Sequence, residues 1–370
     1  MANINQFLDS VKESLNKIND DKSIFIVTGN DSADSIISAL LFSYIANQQS
    51  DALYIPLVKV PLVDLELRPE VGFVLESAGV NYKKLICIDH IDLTALYNAS
   101  ARVILVDHNR LTFPFDETKW NDRVDGVLDH HIDEGLFTDI TLRIVTMVGS
   151  CTSLVVLQFP DAFQYGNDKS TLCQLAIAPI LVDTINLRWE FGKTTTTDVQ
   201  AYDIVRLSAS ADLTYDAIEQ VKGRVQHLCI RDLLRKDYKE WVVDGYRIGT
   251  SSLPWDFHSW VERDGAKDIV DKTQEYIRER QLDMEIILTG YNGEDGQYKR
   301  ELGFFVSDSA LLPVKSILEN DDNVGLKPLN LIHTQNSSGV AFYNQGNIKM
   351  SRKQIWPLVQ SIISEKIEAK

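Results

Sequence analysis

Three short polar clusters hold the residues best suited to chemistry: Gly29-Asn30-Asp31-Ser32-Ala33-Asp34, Asp107-His108-Asn109 and Asp129-His130-His131. Each follows an apolar run, at residues 23–28 (SIFIVT), 102–106 and 126–128. Carboxylates and imidazoles brought together suit hard or borderline divalent ions, with Mn²⁺ and Mg²⁺ favoured over zinc where oxygen ligands dominate. A bridging carboxylate such as Asp107 could hold two ions about 3.5–4 Å apart, the spacing used for in-line attack at phosphorus. Each residue also has a plain structural reading. Asp34 can be a helix cap, His131 a satisfied hydrogen-bonding side chain, and Asp183 a salt-bridge partner. The adjacent imidazoles of His130 and His131 are harder to assign to packing, because buried rings need hydrogen-bond partners.

The elements that must position these clusters alternate in type. Strands are expected at 23–28, 53–58, 85–88, 102–106 and 126–128, with helices at 35–46 and about 69–78. That order predicts an α/β, mainly parallel, doubly wound sheet, in which ligands bind beyond the carboxyl ends of the strands. A helix is expected from 149–153 with Ser150 as N-cap, and a second from 171 to 182, running into Asp183-Thr184. Helical segments from 197 to about 219 read as a connector. Beyond Ile230 the pattern becomes antiparallel, with strands at 246–251, 283–289, 301–307 and 339–343 and a closing helix at 356–367. The expected division is 1–195, a connector at 196–225, and a smaller α+β domain at 226–370.

Composition narrows the classes. A chain of 370 residues, 44% hydrophobic and 24% charged, is long enough for two domains. Its net charge of −16 argues against general nucleic-acid binding. It does not exclude an anionic substrate held by metal ions and a few placed cations. The N-terminus lacks the apolar stretch of a secretory signal, and the apolar run 175–182 is too short for a bilayer, so a soluble, cytoplasmic protein without membrane partners is expected. Cys87, Cys151, Cys173 and Cys229 have no CxxC spacing and read as buried free thiols. Oligomeric state leaves no mark in the sequence, and a monomer is the default.

The order G-N…D-S, V-D-H-N, L-D-H-H, G-S-C and V-D-T resembles the DHH phosphoesterase superfamily. Within it, the chain resembles the fungal cytosolic exopolyphosphatases most, with family II pyrophosphatases and prune-type proteins as relatives. The likeness extends through Asp232 to Lys239 and Ile248 to Leu253 to Ser351-Arg352-Lys353-Gln354, which resembles the Arg-Lys motif of DHHA2 domains. The resemblance implies a DHH domain followed by a DHHA2 domain, with the active site in the cleft between them. It implies a hydrolase that releases orthophosphate from the ends of inorganic polyphosphate with two Mn²⁺ or Mg²⁺ ions. Asp107 would bridge the ions, with Asp34, His130, Asp183 and Asp31 as further ligands. His108 and His131 would contact phosphate and take part in catalysis, and Asn30, Arg352 and Lys353 would bind substrate. Gly29-Asn30 favours polyphosphate, whereas Asp107-His108-Asn109 has the pyrophosphatase form.

One departure stands out. The family's first motif is D-x-D before Ser, but Gly29 to Ser35 is two residues short of it and only Asp34 keeps its place. Asp31 would have to replace the missing carboxylate. Besides the exopolyphosphatase reading, this leaves open a pyrophosphatase or short-chain polyphosphatase, and a polyphosphate-binding protein of little turnover.

Overall fold

The structure, a computed structural model, describes residues 3–17, 22–331 and 339–366. It divides into two compact units, Met1–Lys222 and Gly223–Lys370.

The first unit is built on six parallel strands: β1 (Ile24–Thr28), β2 (Leu53–Val58), β3 (Ile86–Cys87), β4 (Arg102–Val106), β5 (Val124–Asp129) and β6 (Leu142–Val145). Their order across the sheet is β3-β2-β1-β4-β5-β6. Successive side chains of a strand point to opposite faces, yet Ile26, Val27 and Thr28 are all buried, as are Val103 to Val106. Both faces are therefore covered, as a parallel sheet requires. The chain runs outward through β1, β2 and β3, then crosses back to start β4 beside β1. That reversal opens a crevice at the carboxyl ends of β1 and β4, the usual ligand position in such sheets. β6 gave no clear signal in the sequence.

Helix Ala33–Gln49 begins at the end of β1, capped by Ser32, whose hydroxyl accepts from the Ser35 amide. It is buried from Asp34 to Ala46, which explains the absence of a polar face in its sequence. Helix Lys169–Asp183 is also mostly buried. The segment read as a connector is folded into the first unit as far as Lys222, through helices Thr196–Val205 and Tyr215–Lys222. A buried carboxylate accounts for this. Asp198 accepts from the Gly149 and Ser150 amides and the Ser153 hydroxyl, tying its helix to the loop before helix Cys151–Gln158.

The second unit holds strands β7 (Tyr238–Val243), β8 (Tyr246–Leu253), β9 (Met284–Thr289), β10 (Tyr291–Asn292), β11 (Tyr298–Val306), β12 (Leu326–Pro328) and β13 (Val340–Gln345). Its main path runs β12-β13-β11-β9-β8-β7. The expected antiparallel pattern is corrected at one pair: β8 and β9 run parallel. Helices Phe257–Asp264 and Ala266–Arg280 lie between them in sequence, and a crossover of that length lets the next strand start from the same end. The closing helix is Arg352–Lys366, and Ile367, the expected last residue, lies outside the described residues. Cys229 is exposed rather than buried, its thiol directed to Asp232. Among the described residues no helix is long and apolar enough to cross a membrane.

Candidate metal and phosphate site

The three polar clusters converge at the crevice of the first unit. Asp107, immediately after β4, adopts a left-handed backbone conformation with φ of 61°. That costs a residue with a Cβ on the order of 1 kcal/mol and is held only where neighbours impose it. The neighbours are visible. The Asp107 amide donates to the Leu128 carbonyl at 2.9 Å, and the Asn30 side chain donates to the Asp107 carbonyl at 3.4 Å. Asp107 Oδ2 accepts from the hydroxyls of Ser35 and Ser32. Asp107 Oδ1 is buried and receives no aligned hydrogen bond, although His130 Nε2 stands 2.9 Å away.

His130 is turned by its other nitrogen. Nδ1 lies 3.0 Å from the Val148 carbonyl, which can only accept, so Nδ1 carries a proton and Nε2 faces the carboxylates. Nε2 is also 3.9 Å from Asp34 Oδ2. Burial alone would lower the His130 pKa, but Asp107 and Asp34 outweigh it and raise it to about 10.

Asp34 is both cap and candidate ligand. Its Oδ1 accepts from the Ser150 hydroxyl, the Thr152 amide and hydroxyl, and more distantly Ser38. Its Oδ2 accepts only from the Cys151 amide at 2.7 Å, leaving a lone pair on the oxygen nearest His130. Ser150 occupies the N-cap position of helix Cys151–Gln158 as expected, but its hydroxyl serves Asp34, and the carboxylates of Asp34 and Asp198 receive the amides at that helix start. Asp183 ends helix Lys169–Asp183, and three consecutive left-handed residues, Ile185, Asn186 and Leu187, follow it. Burial raises its pKa well above the carboxylate range, and the charges of Asp34 and Asp107 raise it further. Asp34 is raised for the same reasons, burial first and Asp107 next. Three carboxylates thus crowd one imidazole with too little positive charge among them. An Asp107 oxygen whose nearest partner is His130 Nε2, a lone pair on Asp34 Oδ2 and that inward-facing Nε2, which would ligate once deprotonated, are donors of the kind that suit a divalent cation.

Asp129 orients rather than ligates. It is fully buried; Oδ1 accepts from the amides of His130 and His131 and from His131 Nδ1 at 2.8 Å, and Oδ2 accepts from Asn109. His131 is left with its side chain 57% exposed, Nδ1 fixed and Nε2 available.

The structure separates the other expected residues from this set. Asp31 forms an ion pair with Arg68. His108 uses both ring nitrogens within the chain: Nδ1 lies 2.8 Å from the Val106 carbonyl and Nε2 3.4 Å from Lys59 Nζ. Burial and the Lys59 charge hold His108 neutral, with its pKa near 4. Arg352 and Lys353 belong to the second unit, where the Arg352 guanidinium donates to the Asp237 carbonyl at 2.8 Å and carboxylate at 2.6 Å.

Ser32 and Ser35 lie within the first motif but have no role assigned from the sequence, and Lys59 lies outside the motifs altogether. Lys59 could have been found, since it directly follows β2, and β2 ends at the same edge as β1 and β4. A second group, Cys87, Asp89 and His90, also brings ligand atoms close together. There the His90 amide donates to Cys87 Sγ and the Cys87 amide to His90 Nδ1, a small capping box. Burial pushes the thiol up to about 12, which opposes the thiolate a metal would need.

Known proteins resemble this chain in both units. The DHHA2 domain model matches residues 216–362. An inferred exopolyphosphatase of Schizosaccharomyces pombe is 29% identical over 366 residues, covering 93% of this chain and 92% of that protein. Exopolyphosphatase PRUNE1 of Mus musculus is 26% identical over 372 residues, covering 98% of this chain and 80% of its own. Among solved structures, that of an inferred family II inorganic pyrophosphatase of Methanococcus jannaschii superposes with a TM-score of 0.57 at 21% identity, covering 91% of this chain and 98% of that one. At that identity the likeness speaks for the fold.

Proposed function

We propose that the chain is a DHH-type phosphoesterase that hydrolyses phosphoanhydride bonds, releasing orthophosphate from the ends of inorganic polyphosphate; the DHHA2 match over residues 216–362 and the likeness to an inferred exopolyphosphatase over 93% of the chain support this reading. The observation that carries this reading is the approach of His130 to Asp107 and Asp34 at the carboxyl edge of the sheet, with an Asp107 oxygen that no aligned hydrogen bond satisfies and with Asp183 close enough for its charge to act on them. Mn²⁺ or Mg²⁺ held by these four side chains would supply positive charge to phosphate oxygens and acidify water.

The remaining roles fall to the protein. The Asp129 carboxylate orients His131 through Nδ1, which leaves Nε2 to offer a proton to the oxygen leaving with the shortened chain. Asn30 keeps Asp107 in its left-handed conformation through the carbonyl contact. Arg352 and Lys353 are proposed to bind phosphates of the chain, the first as a fork steadied by Asp237 and the second as a point charge. The Asp107-His108-Asn109 triplet, of pyrophosphatase form, supports a second reading, cleavage of pyrophosphate and short chains.

Orthophosphate release with Mn²⁺ tests both, using pyrophosphate, tripolyphosphate and long polyphosphate in parallel. Release from long chains is expected, and faster turnover of pyrophosphate would move the assignment to the second reading. A folded protein that releases nothing with any divalent ion would end both.

A further inference from the structure

Beside the carboxylate set lies a part of the crevice whose charge is already balanced from within the chain. Asp31, the carboxylate expected to replace the missing one of the first motif, and His108 are each engaged by a cation. Arg68 pairs with Asp31. Lys59 Nζ lies 3.4 Å from His108 Nε2, and since His108 Nδ1 is occupied by the Val106 carbonyl, Nε2 can only accept. His108 thus has both ring nitrogens engaged, and the Asp31 carboxylate has its charge balanced by Arg68.

Lys59 is placed by the fold rather than by chance contact. It follows β2, the neighbour of β1 in the sheet, so it emerges at the same carboxyl edge. Its ammonium donates to the Thr112 hydroxyl at 2.6 Å, which fixes its position. Burial lowers its pKa to about 8, opposed by the negative charges of Asp31 and Asp107, so the amine remains mostly cationic at neutral pH. An ammonium has three N–H donors, and the described contacts use two. A compact charge with a donor to spare, next to a cation-binding set, is suited to a phosphate oxygen.

We propose that Lys59 contacts the substrate phosphate and supplies, as an ammonium, the positive charge that a second ion would bring, so that the first unit works with one divalent ion and one lysine. The proposal rests on the phosphoanhydride reading above and modifies its expectation of two ions. It also gives the short loop from Asn30 to Ser35 a consequence: with one carboxylate fewer, a resident cation takes over half of the charge balance.

The test uses the full chain and two readouts. Calorimetric titration with Mn²⁺ counts ions, and titration with imidodiphosphate, a non-hydrolysable diphosphate, in the presence of Mn²⁺ measures phosphate binding without turnover. One Mn²⁺ per chain is expected for the parent and for Lys59→Met, with imidodiphosphate binding weakened at least tenfold in the variant. On tripolyphosphate, Lys59→Met should raise KM more than it lowers kcat, and Lys59→Arg should recover most of the loss. Thr112→Val, which frees the ammonium from its anchor, should show the same effect at smaller size and decides the matter if Lys59→Met does not fold. Two Mn²⁺ bound with similar affinity would overturn the proposal, as would imidodiphosphate affinity unchanged by either variant. If binding depends on Lys59 but the parent releases no phosphate, the hydrolase reading fails while the role of Lys59 stands.

Discussion

Asp107 in the first unit and Glu285 in the second both bury a carboxylate and leave one oxygen without a hydrogen bond. Asp107 sits at a sheet edge among Asp34, Asp183 and His130, so its bare oxygen belongs to a set of converging ligand atoms. Glu285 sits within β9, opposite Gly249 of β8, where a Cβ would come within 2.0 Å of its Oε2. Among the described residues its one hydrogen-bond donor is the Ser251 hydroxyl, 2.6 Å from Oε1. Burial raises Glu285 to about 8, and without other ligand atoms the cheaper solution is to keep the proton. A bare buried oxygen therefore points to a cation only where other donors aim at the same space. Asp198 completes the series. Equally buried, it is satisfied by the Gly149, Ser150 and Thr195 amides and the Ser153 and Thr195 hydroxyls, and its role is structural.

The strongest way to break this contrast is Asp107→Asn, which keeps the left-handed backbone and removes the charge. Phosphate release should fall by roughly a thousandfold or more, and the rise in melting temperature that Mn²⁺ gives the parent should vanish. Near-parental turnover would remove Asp107 from the cation set. Asp198→Ala should do the opposite, costing about 3 kcal/mol of stability in denaturant titration because buried amides lose their acceptor. A variant as stable as the parent would show that those donors find other partners.

Glu285→Gln sharpens the comparison through pH. The folded carboxyl titrates near 8 and the unfolded one near 4.5, so the folded state binds the extra proton between these values. The contribution of Glu285 is fully present below about pH 4.5 and is lost as pH rises to about 8, at roughly 1.4 kcal/mol per unit. Glu285→Gln should flatten the decline of stability with pH over that window, measured without divalent ions. An unchanged slope would mean that Glu285 is ionised in the fold. The smallest effect is expected from Lys353→Ala: a severalfold rise in KM for polyphosphate at low salt, worth about 1 kcal/mol, that fades in high salt. A salt-independent rise would point to a packing change instead.

Much of the first unit was legible because its signals are local. Apolar runs that end in Asp, His or Asn mark both the strand and the edge at which it stops, and the strands before Asn30, Asp107 and Asp129 lie close to where their patterns put them. The second unit was less so. Whether β8 and β9 pair parallel or antiparallel depends on which end of the sheet the chain returns to, which strand composition does not encode. The same limit applies to charge. Asp31 looks like a ligand in the sequence, but its partner Arg68 lies 37 residues away, as His108 lies 49 residues from Lys59.

The sequence by itself determined the residue types of the site and the sheet edge that gathers them, because strand ends and turn chemistry are written in neighbouring residues. The tertiary structure decided how the hydrogen-bonding capacity of each of those residues is used. That choice depends on which proton His130 carries, which oxygen of Asp34 its helix consumes, and which carboxylate an arginine reaches first. Each is settled by a contact between distant parts of the chain, where the hydrogen-bonding capacity of one group is used up by another.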